Sequence, residues 1–225
     1  MRLHQPTDMR GRNGKRFGIS GAMVMLLMMG CLTQAFAQFP SELWHEGKIV
    51  LVEGDTLKGL VKYDLPQNLV QYTARDNRTE AFSARKVLFF EIYDTSVRRY
   101  RQFFALPYMG MGTGADYKAP IFFELLTEGK MTLLCRESLE TRMYNSSPYY
   151  GGYYNNSYSR VVLVHTYYLL DENGNISEFT GNKSDLLQRM GKKSEEVEKY
   201  MKENRLKYDD PYDFVRIVAY YNSLM

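Results

Sequence analysis

Cys135 and His165 are the residue types that could supply a nucleophile and its base, and Glu124, Glu137 and Asp116 are carboxylates that could supply an acid and a base. Acid–base chemistry needs two such groups converging on one reacting centre. None of these residues sits at a diagnostic spacing. Cys135 lies in the apolar run Thr132 to Arg136, where a lone cysteine reads as a small buried hydrophobe. His165 lies in a Val- and Tyr-rich stretch with no motif around it. Gly110, Gly112 and Gly114 form G-x-G-x-G, but a phosphate loop opens a helix after a strand. Here Lys118-Ala119-Pro120 leads into another strand, so the glycines read as a connection. Asp171, Asn173 and Asn175 match the start of a calcium loop. Ile176 and Asn182 then stand where that loop needs Gly and Glu, so the segment reads as a hairpin turn. With Cys31 removed in a leader, the mature chain has too few soft ligands for a zinc site. No residue is therefore assigned a catalytic or metal-binding role, and no cofactor is expected.

Recognition chemistry has a better candidate. Residues 143–160 hold Tyr144, Tyr149, Tyr150, Tyr153, Tyr154 and Tyr158 among Asn, Ser and Gly, with almost no aliphatic residue. Tyrosine offers a large contact area and a hydrogen-bonding tip at low entropic cost, while Ser, Gly and Asn adapt locally. A second long connection, from Tyr108 to Tyr117, is expected to join it. Long connections in compact domains are functional or disordered. The loop Tyr149 to Tyr158, with Tyr108 and Tyr117, is the expected binding surface. Trp44, just before the first strand, is expected to be a lid on the core.

These loops need elements to hold them. Residues 44–180 read as β-hairpins, with strands over 48–52, 57–63, 69–73, 79–83, 87–93, 97–104, 121–127, 131–137, 161–170 and 176–180. In the second strand Leu57, Gly59, Val61 and Tyr63 alternate with Lys58, Leu60 and Lys62, the period of a half-buried strand. Gly54, the pair Asp76-Asn77, and Asn173-Gly174 mark turns. After Gly181 the pattern turns helical. Ser184 is expected to cap a helix over 185–190, and Ser194 one over 195–204 with Val197, Tyr200 and Met201 inward. Asp210 and Pro211 open a last helix whose Phe214, Ile217, Val218 and Tyr221 face the core. Strands first and helices last predict an α+β fold, an antiparallel hairpin-rich sheet or roll followed by a C-terminal helical segment.

The amino terminus reads as an address. Arg2, Arg10, Arg12, Lys15 and Arg16 precede an uncharged stretch from Gly18 to Leu32, and Ala35-Phe36-Ala37 offers small residues before Gln38. That order predicts a secretory signal peptide over 1–37, followed by a β-rich region over 38–182 and packed helices over 183–225. Two alternatives stay open: lipidation at Cys31, which ends a Gly-Cys pair, and an uncleaved anchor. Only these would bring the chain to a membrane surface. The full chain of 225 residues carries a formal charge of +3, but without residues 1–37 it has 24 basic and 25 acidic residues. The basic excess therefore belongs to the leader and gives no reason to expect nucleic acid as a partner. A quarter charged and 44% hydrophobic, the chain is neither wholly disordered nor a multi-span membrane protein.

The Ala-Phe-Ala-Gln region, the hairpin Gly54 to Tyr63 (Gly-Asp-Thr-Leu-Lys-Gly-Leu-Val-Lys-Tyr) and the ending Tyr220-Tyr221-Asn222-Ser223-Leu224 resemble an uncharacterised exported envelope family of the Bacteroidetes type. The resemblance implies location in the periplasm or cell envelope and carries no catalytic motif. The expected function is a non-catalytic binding or structural module of the envelope, with an envelope protein or glycan as partner. The alternative is an envelope hydrolase acting on glycan or peptide.

Overall fold

The computed structural model describes residues 39–74, 78–109, 118–146 and 156–225, all within the unit Gln38–Met225. The expected leader, its cleavage site and Cys31 lie outside these residues, as do the Asp76-Asn77 turn and the G-x-G-x-G connection. Ten strands form one antiparallel sheet: β1 (His45–Leu51), β2 (Thr56–Asp64), β3 (Leu69–Thr73), β4 (Thr79–Ser83), β5 (Val87–Asp94), β6 (Arg99–Tyr108), β7 (Ala119–Thr127), β8 (Thr132–Ser146), β9 (Asn156–Leu170) and β10 (Ile176–Glu178). Their order is β10-β9-β8-β7-β6-β5-β1-β2-β3-β4. Three helices follow, α1 (Lys183–Met190), α2 (Ser194–Glu203) and α3 (Pro211–Ser223). The fold is α+β, a sheet followed by helices.

The sheet coils back on itself. Asn68, in the β2–β3 turn, accepts hydrogen bonds from the Tyr63 hydroxyl at 3.1 Å and from the Phe122 N–H of β7 at 3.4 Å. β2 and β7 are four strands apart in the sheet order, so this contact requires a roll. Tyr63 fills its interior, with ring centroids 5.4 Å from Phe90, 5.4 Å from Phe103 and 5.7 Å from Phe122. Burial pushes its phenol pKa up to about 12, against a small opposing pull from the Arg136 charge. Ile49, Val61, Val70 and Val87 complete this core, and Leu139 and Leu163 pack against it. Gly47 and Gly59 face each other across β1 and β2. A Cβ at Gly47 would clash with the Glu91 carbonyl oxygen, so glycine is what lets β1 approach β5 so closely here.

The helices build a second core on the same face, at the other end of the roll. Leu133 and Leu169 meet Leu186, Val197, Phe214, Ile217 and Val218 there, all of them buried. The adjacent residues Leu134 and Tyr168 point the other way, into a third cluster with Phe123. Capping departs from expectation at two helices. Asn182, not Ser184, caps α1 by accepting the Ser184 N–H, and Ser194 is the first residue of α2 rather than its cap. Asp210 caps α3 as expected, accepting from the N–H groups of Tyr212 and Asp213. Near the end of α3, the Asn222 amide accepts from the Met131 N–H at 3.0 Å and donates to the Met131 carbonyl at 2.9 Å. That pair of bonds pins the helix to the β7–β8 turn. Trp44 is 40% exposed and is not a lid on the core.

Candidate functional site

Two features stand out among the described residues: a buried charge cluster on the inner face of the sheet, and a bare ribbon at its β8–β9 end. The cluster follows from strand register. Phe103 lies opposite Glu124, Glu124 opposite Cys135, and Glu137 opposite His165, so neighbouring strands deliver charged side chains to one face. Arg101 is the hub. Its Nε donates to Glu124 Oε1 at 2.9 Å and its Nη2 to Glu124 Oε2 at 2.6 Å, a bidentate fork. Nη2 also reaches Glu137 Oε1 at 2.6 Å, and Nη1 reaches Asp94 Oδ2 at 3.2 Å. Arg99 adds a bond to Glu124 Oε1 at 3.2 Å, and His165 Nε2 lies 3.3 Å from Glu137 Oε1. Ser96 holds the other side of Asp94, its backbone N–H and hydroxyl both donating to Oδ1.

Asp94 and Glu137 are held away from the state a general acid needs, and Cys135 away from the state a nucleophilic thiolate needs. Burial would raise the Glu137 carboxyl, but the His165 hydrogen bond and the Arg101 charge outweigh it and hold its pKa below the usual range. Asp94 is held low in the same way, by Ser96 and then Arg101 against the cost of burial. The Cys135 thiol is pushed up, first by burial and then by the negative charge of Glu124 and Glu137. A general acid needs a raised carboxyl and a nucleophilic cysteine a lowered thiol, and both shifts run the other way. No group of three or more His, Cys, Asp or Glu among the described residues is arranged to hold a metal ion. Sequence reasoning named Cys135 with His165 as a nucleophile and base, and Glu124 and Glu137 as separate acid and base candidates. The fold brings these four together around Arg101, which that reading missed. The available signal was Glu124, a carboxylate in phase with Phe122 and Leu126 inside an apolar strand.

The second feature is the distal half of the β8–β9 hairpin. These strands pair over their whole length, from Thr132 with Leu170 to Ser146 with Asn156. β7 pairs with β8 only between Leu133 and Cys135, and β10 pairs with β9 only between Tyr168 and Leu170. Seven pairs, from Glu140 with Val162 to Ser146 with Asn156, thus run on as a ribbon about 20 Å long at ~3.3 Å per residue. Residues 140–144 and 157–161 are all exposed, so both faces of the ribbon are wet. Met143 is 77% and Tyr158 58% exposed, and Tyr158 stacks on Tyr144 across the strands at 5.6 Å.

Of the expected binding tyrosines, Tyr158 stands on this ribbon. Tyr108 instead ends β6 and packs edge-on to Phe123 at 5.6 Å and to Tyr168 at 5.3 Å. Tyr168 is ten residues along β9 from Tyr158, about 33 Å of strand, so the fold does not bring Tyr108 and Tyr158 together. Tyr117, Tyr149, Tyr150, Tyr153 and Tyr154 lie outside the described residues, as does Asp116. Asp171, Asn173 and Asn175 form a hairpin turn: the Asp171 carboxylate accepts from the N–H groups of Asn173 and Asn175, both at 2.9 Å. No helix among the described residues is long and apolar enough to cross a membrane. No family model matches the chain, and no curated protein and no solved structure is similar to it.

Proposed function

We propose that this chain is an exported cell-envelope module that binds a partner protein through the β8–β9 ribbon, and that it works without catalysis. The observation that carries the reading is the ribbon itself. A two-stranded ribbon with both faces in water is marginally stable alone, because it buries too little to offset the entropy of ordering it. This one exposes Met143, Tyr144, Tyr158 and Val161, and among the described residues no strand pairs with either of its outer edges. An unpaired edge with β-branched residues, here Val161 and Val162, is the template for strand addition by another chain. A protein partner fits that chemistry better than a glycan, which has no backbone ladder to offer. Export rests on the basic, apolar and A-x-A sequence of residues 1–37.

Replacing residues 140–162 by a short Gly-Ser turn tests the reading. The melting temperature is expected to stay within a few degrees of the parent, since the deleted residues lie beyond the packed cores. Crosslinking in intact envelopes is expected to lose its specific protein partners. Retention of every partner would overturn the proposal, and loss of a glycan instead of a protein would overturn its choice of partner.

A further inference from the structure

We infer that the outer edge of β8 on this ribbon is an interface between two copies of this chain, paired antiparallel about a two-fold axis at Thr141. The inference rests on the reading of the ribbon as a docking surface and names the occupant of one of its edges. β7 leaves β8 after Cys135, and among the described residues no strand pairs with that side of β8 from there to Ser146. From Glu140 to Tyr144 every residue is exposed as well. Backbone donors and acceptors along such an edge are open to a further strand.

The sequence of that edge is complementary to itself. Side chains opposite each other in an antiparallel ladder share a face, so a strand paired with its own copy must be centred on a residue. Centring on Glu140 or on Arg142 sets a charge directly against its own copy, which destabilises the pair. Centring on Thr141 sets Glu140 against Arg142 of the second copy and Leu139 against its Met143, each twice over, with Thr141 opposite Thr141. Opposite charges, apolar pairs and a threonine pair are all favourable cross-strand neighbours. Glu140 and Arg142 already form an ion pair within the strand at 3.5 Å, both about half exposed. A second copy closes it into a ring of four charges in which every neighbour is opposite in sign, and such a network outweighs an isolated surface pair. Met143, 77% exposed in the single chain, gains Leu139 of the second copy as an apolar neighbour. The β9 edge carries no such code: Arg160 is the one charge between Ser157 and Val164, so no two-fold register there pairs opposite charges. The contact is isologous and closes at two copies.

Five residue pairs make a small contact, so the dimer is expected to be weak, with a Kd on the order of 10–100 µM. Sedimentation of the mature chain, Gln38 to Met225, from about 1 µM to about 1 mM tests this. Glu140→Arg alone and Arg142→Glu alone should each weaken dimerisation at least about tenfold. Both should melt as the parent does, because the two positions are exposed. An equimolar mixture of the two variants should dimerise again, since each charge then meets its opposite across the axis. A parent that stays monomeric throughout, dimerisation untouched by both reversals, or a mixture no better than its components would overturn the inference. A monomeric chain that still captures a different protein from a photoreactive residue at position 158 would remove the second copy and leave the ribbon reading standing.

Discussion

Arg101 ties four strands together in the interior. It bonds Asp94 at the end of β5, Glu124 of β7 and Glu137 of β8 from its own place on β6. Asp94 and Glu137 have pKa values lowered on folding, so their contribution is present above the unfolded carboxyl pKa and is lost as pH falls through the folded values. The stability contributed by these two carboxylates should therefore be lost only in acid, below about pH 4. Arg101→Met reverses that sign. It removes the shared partner of three carboxylates, leaving, among the described residues, Glu124 only Arg99, Glu137 only His165 and Asp94 only Ser96. Burial is then left to raise the Glu137 and Asp94 carboxyls on folding, and the change should cost about 3–5 kcal/mol at neutral pH. Denaturant melts at about pH 7 and about pH 5 check this, since the variant should gain stability on acidification where the parent gains none. A variant as stable as the parent at neutral pH would mean that the cluster is electrostatically idle. The same residue scale gives a role to the segments that carried the family resemblance. Of the two that lie among the described residues, Tyr63 fills the roll and Asn222 pins α3, a packing role in each.

At the scale of elements, the helices are docked by one apolar stripe each, and α3 contributes the largest. Phe214 is fully buried, edge-on to Tyr167 at 5.4 Å and tilted on Phe179 at 4.9 Å. Phe214→Ala should cost on the order of 3–5 kcal/mol, read as a fall in the denaturation midpoint, and an unchanged midpoint would place α3 outside the cooperative unit. The docking was legible because Phe214, Ile217, Val218 and Tyr221 recur at helical spacing behind an Asp-Pro start. Strand existence was legible for the same reason, since Leu57, Gly59, Val61 and Tyr63 alternate with exposed positions. The full reach of β8 and β9 was not. Expected at residues 131–137 and 161–170, these strands run over Thr132–Ser146 and Asn156–Leu170. Alternation marks a strand with one dry face. The distal ribbon is wet on both, so Glu140 to Tyr144 shows no period that a sequence could display. The charge cluster was hidden differently, because it is assembled from β5 to β9 and no local spacing records a meeting across strands.

For the whole molecule, the roll and the helical cap form the stable body, and the ribbon is the part that body does not use. Its side chains leave the packed cores after Leu139 and Leu163, yet it continues as a paired ladder toward the tyrosine-rich connection. A protein rarely maintains exposed aromatic and β-branched surface on an unpaired edge unless something covers it, because such an edge invites aggregation. The proposed export and the proposed partner on the ribbon are parts of one account. The most direct test is site-specific photo-crosslinking in living cells, with a photoreactive residue in place of Tyr158 on the ribbon and, as control, in place of Tyr100, which is 66% exposed elsewhere on the sheet. The account predicts a discrete protein adduct from position 158, recovered in the envelope fraction, and none from position 100. Equal adducts from both positions, or an adduct from neither, would contradict it.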